Sequence, residues 1–353
     1  MNDRFNIYLT MSPHEVLPSA RKNYPNYAAS RVDETASSDA SSTKSATSAM
    51  GKGWKKSVRI SRALFKGGTL LVGPLAKFTS VQEAVLSLGN TTTAQTILIL
   101  AGNYTEQVNI TRQGPLTLLG QTTYPNDAAK NSVNIIWHNA TGGATGNTYD
   151  NAYTSTLTIA PTFNSSTTGS GPSGNPVPAG TPFGNTNFRT YNLNFINDYL
   201  PYSAGPALAL SMSYANAGFY YTQFLSYQDT VYVGKLGNAY MYGCIIGGQT
   251  DFFYGFGTLW VAKSDIKLRG CGGGITAWKG SNTTFVNHYD TTMAEYHDYG
   301  PGFNLTGRIA AANITIEMTP QQYAPYSTLA KVFQYPFSGE FGNVAWIDEN
   351  PEA

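Results

Sequence analysis

The chain reads as all-β, a single-stranded parallel β-helix with short capping helices, on three observations. The stretch 217–265 can be laid over itself at a shift of 22 residues, so that Tyr220 falls on Tyr242, Phe224 on Ile246 and Asp229 on Asp251. A repeat of that length, rich in aromatic and β-branched residues and broken by Gly, fits one coil of a β-helix. The composition agrees: 36 Gly and 24 Tyr, with frequent Asn, Ser and Thr, suit many short strands joined by tight turns. Short apolar runs such as Leu116–Gly120 and Val133–Trp137 then recur between turn residues, as successive strands of one ladder would. Coils of this kind stack at strand spacing, about 4.8 Å.

Charge and length set bounds on the function. A net charge of +1, with 12% of residues charged, argues against a nucleic-acid binder. No apolar run is long enough to span a membrane. Eight Asn-X-Ser/Thr sequons, at Asn90, Asn103, Asn109, Asn139, Asn164, Asn282, Asn304 and Asn313, predict a secreted glycoprotein. The first residues lack the apolar core of a signal peptide, so an altered or misassigned start is expected. Cys244 and Cys271 are expected to be small buried hydrophobes, the alternative being a disulfide between neighbouring coils. Four scattered His and two Cys predict no metal site.

In chain order, residues 1–66 read as a poorly ordered extension, Ser/Ala/Thr-rich from Asp33 to Met50 and basic from Lys52 to Lys66. One β-helix domain follows, 67–353. Thr69–Val72 is its first strand. Ser80-Val81-Gln82-Glu83 is a capping box opening a short helix that buries Val81, Ala84, Val85 and Leu88 and covers the open end of the coil stack. Thr96–Leu100 is the next strand. Gly102–Glu106 reads as a turn and strand start. Residues 142–147 and 163–187 are loops, the second crowded with Gly, Ser and Pro, of the kind that border a cleft. In Tyr191–Asn197, apolar positions alternate with Asn192 and Asn194, which predicts a half-buried strand whose Asn side chains stack in a ladder between coils. Thr319-Pro320 predicts a helix start.

The central stretch carries the chemistry. Gln228-Asp229-Thr230-Val231-Tyr232 resembles the Q-D-T-L-Y motif of pectin methylesterases, the pectinesterase family. Asp251-Phe252-Phe253-Tyr254-Gly255 resembles that family's D-F-I-F-G motif at the family's separation. Gly102–Glu106 is similar to its G-x-Y-x-E, Gly205–Leu210 to its Q-A-V-A-L, Gly272–Ala277 to its G-x-I-T-A, and Ala294–Gly302 to its E-Y-x-x-x-G-x-G segment. The resemblance covers about residues 68 to 335. It implies a right-handed, pectin lyase-like β-helix without metal or organic cofactor, monomeric, secreted to the cell wall and acting on pectin. By resemblance Asp251 is the nucleophile, Asp229 the general acid and then base, and Gln228 an oxyanion donor; Tyr232 and Tyr254 read either as platforms for sugar rings in the cleft or as members of a buried aromatic stack. Two stacked carboxylates cannot both ionise freely, which suits an acid beside a nucleophile. An Asp pair without those flanking motifs would read as turn caps on adjacent coils.

The pattern departs from the family in two places. Pro206 stands where Q-A-V-A-L begins with Gln, and brings no side-chain donor. The L-G-R-P-W motif is missing, as though deleted near Tyr289-Asp290. Leu305-Thr306-Gly307-Arg308 continues without Pro-Trp, and Arg308 reads as a structural residue. In the family that Arg pairs with the nucleophile, and losing such a buried partner costs several kcal/mol. Two readings therefore stand: a pectinesterase that hydrolyses the methyl esters of galacturonate in pectin to pectate and methanol, or a catalytically impaired β-helix that binds pectin.

Overall fold

The computed structural model describes residues 7–10, 68–167, 178–278, 293–295, 306, 315–334 and 340–351. Three parallel sheets of eight, six and six strands form a right-handed β-helix. Each coil contributes one strand to each sheet in turn. Asn216–Tyr220, Gln223–Leu225 and Val231–Val233 make one coil, and Asn238–Tyr242, Ile245–Gly248 and Phe253–Gly255 make the next. The 22-residue repeat is the physical register. Tyr220 pairs with Tyr242, Phe224 with Ile246 and Val231 with Phe253.

Inward-facing apolar side chains stack along the coil axis. Phe195 lies 5.7 Å from Phe224, nearly parallel, and Phe224 meets Phe219 edge-on at 5.1 Å. Full burial of such rings gains on the order of 1.5–3 kcal/mol each, so the column stabilises every coil it crosses. Polar ladders run beside it. Asn134 donates to Asn103 Oδ1 and Asn194 to Asn134 Oδ1, each at 2.7 Å, and Asn192 donates to Asn131 at 3.2 Å. The Asn ladder expected at Asn192 and Asn194 is thus present, but the single strand expected over Tyr191–Asn197 is broken: Asn192, with a left-handed φ of 55°, turns the corner between strands Phe188–Tyr191 and Asn194–Asn197.

The helix Val81–Leu86 covers the end of the stack and buries Val81, Ala84 and Val85. The first strands sit at Leu70–Val72 and Gln95–Ile99, one residue from their expected bounds. Ser80 accepts from the Glu83 amide, but the helix N-terminus is held chiefly by Glu106, a residue expected only to begin a strand. Its carboxylate accepts from Ser80 Oγ at 2.7 Å and from the Val81 and Gln82 amides, both at 2.8 Å. Three otherwise unpaired donors meet an anion at the positive end of the helix. Inside 163–187, expected to be loop throughout, Phe163–Ser166 forms a capped helical turn.

Of the extension 1–66, only Ile7–Thr10 is described. These residues form a strand parallel to Leu259–Ala262 and extend the first sheet past its last coil. The C-terminal segment docks on the outer face of the same sheet. Helix Pro320–Tyr323 starts after the Thr319 cap with Pro in its first turn, as expected. Further on, Val332, Phe333, Trp346 and Ile347 pack with Tyr220, Tyr240 and Trp260. Tyr191 donates to Asp348 at 2.8 Å, and Arg189 to the Trp346 carbonyl at 3.0 Å. Cys244 is buried and Cys271 exposed, and both are free thiols; the disulfide alternative is not formed.

Candidate active site

The corner between the second and third sheets positions both carboxylates. Asp229 directly precedes its coil's third strand by one residue of turn, and Asp251 does the same one coil later. Both have left-handed backbones, with φ of 57° and 49°. Asp tolerates this conformation better than most residues because its short side chain bonds locally. The same conformation recurs at the neighbouring corner, at Asn192, Tyr221 and Lys263, so it is a property of β-helix turns that the site has put to use. The stacking is continuous. The Asp229 amide donates to the Thr250 carbonyl at 3.0 Å, and the Asp251 amide to Gly274 at 2.7 Å. The Gly272–Ile275 segment therefore forms the next layer. A side chain at Gly274 would place its first carbon 3.2 Å from Asp251 Oδ1, which Gly avoids.

The two carboxylates differ in environment. Asp229 is buried, whereas Asp251 is partly open. Burial pushes the Asp229 carboxyl up to about 8; the nearby Asp251 charge adds to the rise, and a hydrogen bond from Asn151 offsets part of it. Asn151 Nδ2 donates to Asp229 Oδ2 at 3.1 Å. A carboxyl held towards its protonated form beside an open carboxylate is an arrangement able to serve as acid and nucleophile.

Gln228 pairs across coils with Thr250, and its Oε1 accepts from Ser203 Oγ at 2.9 Å. Tying the carbonyl end leaves Nε2 as the donor end. Pro206 immediately precedes Ala207, whose amide donates to the Gln228 carbonyl at 3.0 Å.

Tyr232 corrects one expectation. It is fully buried, its ring 4.8 Å from that of Tyr254 and 6.3 Å from that of Phe256, so it packs in a small aromatic cluster and offers no face to a sugar. The run Val231-Tyr232-Val233 alternates no polar residue that would have marked the buried face. Tyr254 is partly buried, with its hydroxyl enclosed.

Two residues were passed over in the sequence. Asn151 belongs to the turn Asn151–Thr154, remote from either motif, and nothing local marks it. Arg269, on the coil after Asp251, lies over the Tyr227 ring at 4.0 Å and donates to the Ser226 carbonyl at 2.8 Å. Arg308 and the junction at Tyr289-Asp290 lie outside the described residues. Among the described residues no group of three or more His, Cys, Asp or Glu is placed to hold a metal.

No family model matches the chain. It is 31% identical over 252 residues to a probable pectinesterase A of Neosartorya fischeri, covering 71% of this chain and 67% of that protein. It is 32% identical over 214 residues to pectinesterase A of Emericella nidulans, where the match spans 61% of this chain and 56% of that protein. A pectin methylesterase structure from Erwinia chrysanthemi aligns with a TM-score of 0.54 at 19% identity, covering 75% of this chain and 97% of that one, and so shares the fold. The repeat register, the stacked Asp pair with its two motifs and the named relatives agree, and the chain belongs to the pectinesterase family.

Proposed function

We propose that the chain hydrolyses methyl esters of galacturonate in pectin, releasing methanol and leaving pectate, in the modification or degradation of plant cell walls. The observation that carries this is the pair itself: Asp229 buried and held neutral by its surroundings, Asp251 open, at one corner of adjacent coils. The named relatives support the same substrate, and a pectin methylesterase of the same fold has been solved in complex with a hexasaccharide.

Asp251 attacks the ester carbonyl carbon, and the carbonyl oxygen becomes an oxyanion to which Gln228 Nε2 donates. As the tetrahedral intermediate collapses, the C–O bond to the methoxy group breaks and Asp229 gives it a proton, so methanol leaves. The acyl group is then held on Asp251 as an anhydride. Asp229, now ionised, takes a proton from water, and the resulting hydroxide attacks the anhydride. Collapse expels the Asp251 carboxylate, the galacturonic acid so formed loses its proton to solvent and departs as galacturonate, and Asp229 keeps the proton taken from water, so both carboxyls return to their starting states. Tyr254 borders the site, and the sequons fit a secreted, glycosylated chain working in the wall.

Methanol release from highly methylated pectin, compared between this chain and Asp251→Asn, tests the reading. Release that depends on Asp251 supports it. A chain that retains pectin but releases no methanol would favour the binding role, the reading to which Pro206 and the missing Arg-Pro-Trp motif point.

A further inference from the structure

Pro206 brings no side-chain donor, which leaves the Gln228 amide to meet the oxyanion. A glutamine serves only if its N–H end points at that oxygen, since its carbonyl end would repel the charge. Three residues before Pro206, Ser203 bonds to this amide: its hydroxyl donates to Gln228 Oε1 at 2.9 Å. Among the described residues Gln228 Nε2 has no partner and is not enclosed, so its hydrogens stay available.

Ser203 is itself held from both sides. Its amide donates to Gln249 Oε1 at 3.1 Å, and Gln249 Nε2 donates to the Cys271 carbonyl at 2.9 Å. A main-chain N–H only donates and a carbonyl only accepts, so the Gln249 amide cannot turn over without losing both bonds. On its other side the loop is tied to the preceding coil. The Ala144 amide donates to the Ala204 carbonyl, and the Thr141 amide to the Pro206 carbonyl, both at 2.9 Å.

We propose that Ser203, fixed in place by Gln249, is a positioning residue that holds the Gln228 carbonyl and presents Nε2 to the oxyanion. In the reverse orientation Nε2 would donate to the Ser203 oxygen, and the carbonyl would face the developing charge. A hydroxyl donating to Oε1 excludes that turn. The bond is in place before substrate binds, so the donor needs no reorganisation as charge develops. Ser203 thus acts through Gln228, and Gln249 through Ser203.

This rests on Gln228 being the oxyanion donor of the proposed reaction, so one arm of the test needs no turnover. The variants are Ser203→Ala, Ser203→Thr, Gln249→Leu, and Ser203→Ala combined with Gln228→Ala. Nitrogen NMR relaxation of the side-chain amides is measured on Gln-labelled full chain, with Gln228→Ala as the assignment control. The Gln228 amide group should be ordered in the parent and in Ser203→Thr, which keeps the hydroxyl. It should gain mobility in Ser203→Ala and, by less, in Gln249→Leu. In the methanol assay Ser203→Ala should lower kcat about tenfold with KM within about twofold, and Ser203→Thr should stay within about threefold of the parent. Ser203→Ala should cost nothing further once Gln228 is replaced, because the hydroxyl then has nothing left to orient.

Unchanged order at Gln228 in folded Ser203→Ala overturns the proposal whatever the activity. If Ser203→Ala does not fold, Gln249→Leu decides, and unchanged order there overturns it. An equal loss of kcat in the Gln228→Ala background also overturns it, since the hydroxyl would then act elsewhere. So does a raised kcat in Ser203→Ala, which would mean that the hydroxyl holds the amide reversed. A mobile Gln228 in Ser203→Ala, with no methanol released by the parent chain, would keep the positioning role and sink the esterase reading instead.

Discussion

Asp229 and Asp251 repeat one backbone conformation one coil apart, and the Asp229 amide donates to Thr250, the residue immediately before Asp251. The two carboxylates are therefore fixed by the main chain before any side-chain interaction acts. What separates them is burial. Asp229 is buried and accepts from Asn151, while Asp251 faces the thin Gly272–Ile275 layer.

The buried acid should cost stability at high pH. The folded-state value for Asp229, about 8, lies above its ordinary value of 3.8. The stability linked to its proton is thus fully present below the ordinary value and is lost as pH rises through about 8. Asp229→Asn cannot ionise. It should be more stable than the parent at pH 9, by an amount on the order of 1–3 kcal/mol, and the difference should close as pH falls towards 4. Urea unfolding at several pH values measures it. A difference that is constant across that range would show that Asp229 is not held neutral by the fold.

Activity should show the same group from the other side. With Asp229 as the acid of the first step, kcat/KM on methylated pectin should fall along an alkaline limb near pH 8. Asp251→Asn should reduce methanol release by at least about a thousandfold, since an amide does not attack an ester, while its melting temperature stays within about 2 °C. Removing the Asp251 charge should also lower the Asp229 titration, because that charge contributes to its rise. Wild-type methanol release by Asp251→Asn would dismiss Asp251 as the attacking group.

Much of this was legible where one coil repeats the next. Tyr220 over Tyr242 and Phe224 over Ile246 are pairs of like residues at one offset, and side chains that stack must resemble each other in size. The Asn ladder was readable for the same reason. Asn151 was not, since it comes from a turn outside the repeat and meets Asp229 only when the third sheet closes. For Tyr232 the choice between a sugar platform and a buried stack stayed open, because a strand flanked by apolar residues on both sides leaves its two faces alike in sequence. Glu106 looked like part of a turn because its three partners lie on a helix 24 to 26 residues upstream.

That capping role makes its own prediction. Glu106→Ala removes the acceptor for Ser80 Oγ and for two amides at the start of the covering helix. The loss should be about 2–3 kcal/mol, larger than for an ordinary cap, because a charged acceptor and three donors are involved. Ser80→Ala should cost about 1 kcal/mol. Thermal unfolding of both variants measures this. Equal and small losses would mean that the helix end is satisfied by water.

The absence of the Arg-Pro-Trp motif from the sequence supplies the last prediction. Inserting a segment that carries it between Tyr289 and Asp290 should raise methanol release, because a cation beside Asp251 would hold the nucleophile in place for attack. From the sequence alone, the melting temperature would be expected to rise as well, on the grounds that the C-terminal segment had lost its support. The structure changes that part. Val332, Phe333, Trp346 and Ile347 already dock on Tyr220, Tyr240 and Trp260, and Asp348 bonds Tyr191, all on coils that precede the insertion point. Those coils also carry Asp229 and Asp251. The inserted chain should therefore gain activity with little change in the cooperative melting of the β-helix, within about 2–4 °C. Parallel assays of methanol release and thermal unfolding on the two chains decide it. A large rise in melting temperature would show that the docked segment does not anchor the C-terminus by itself, and equal activity would show that the pair of carboxylates works without that cation.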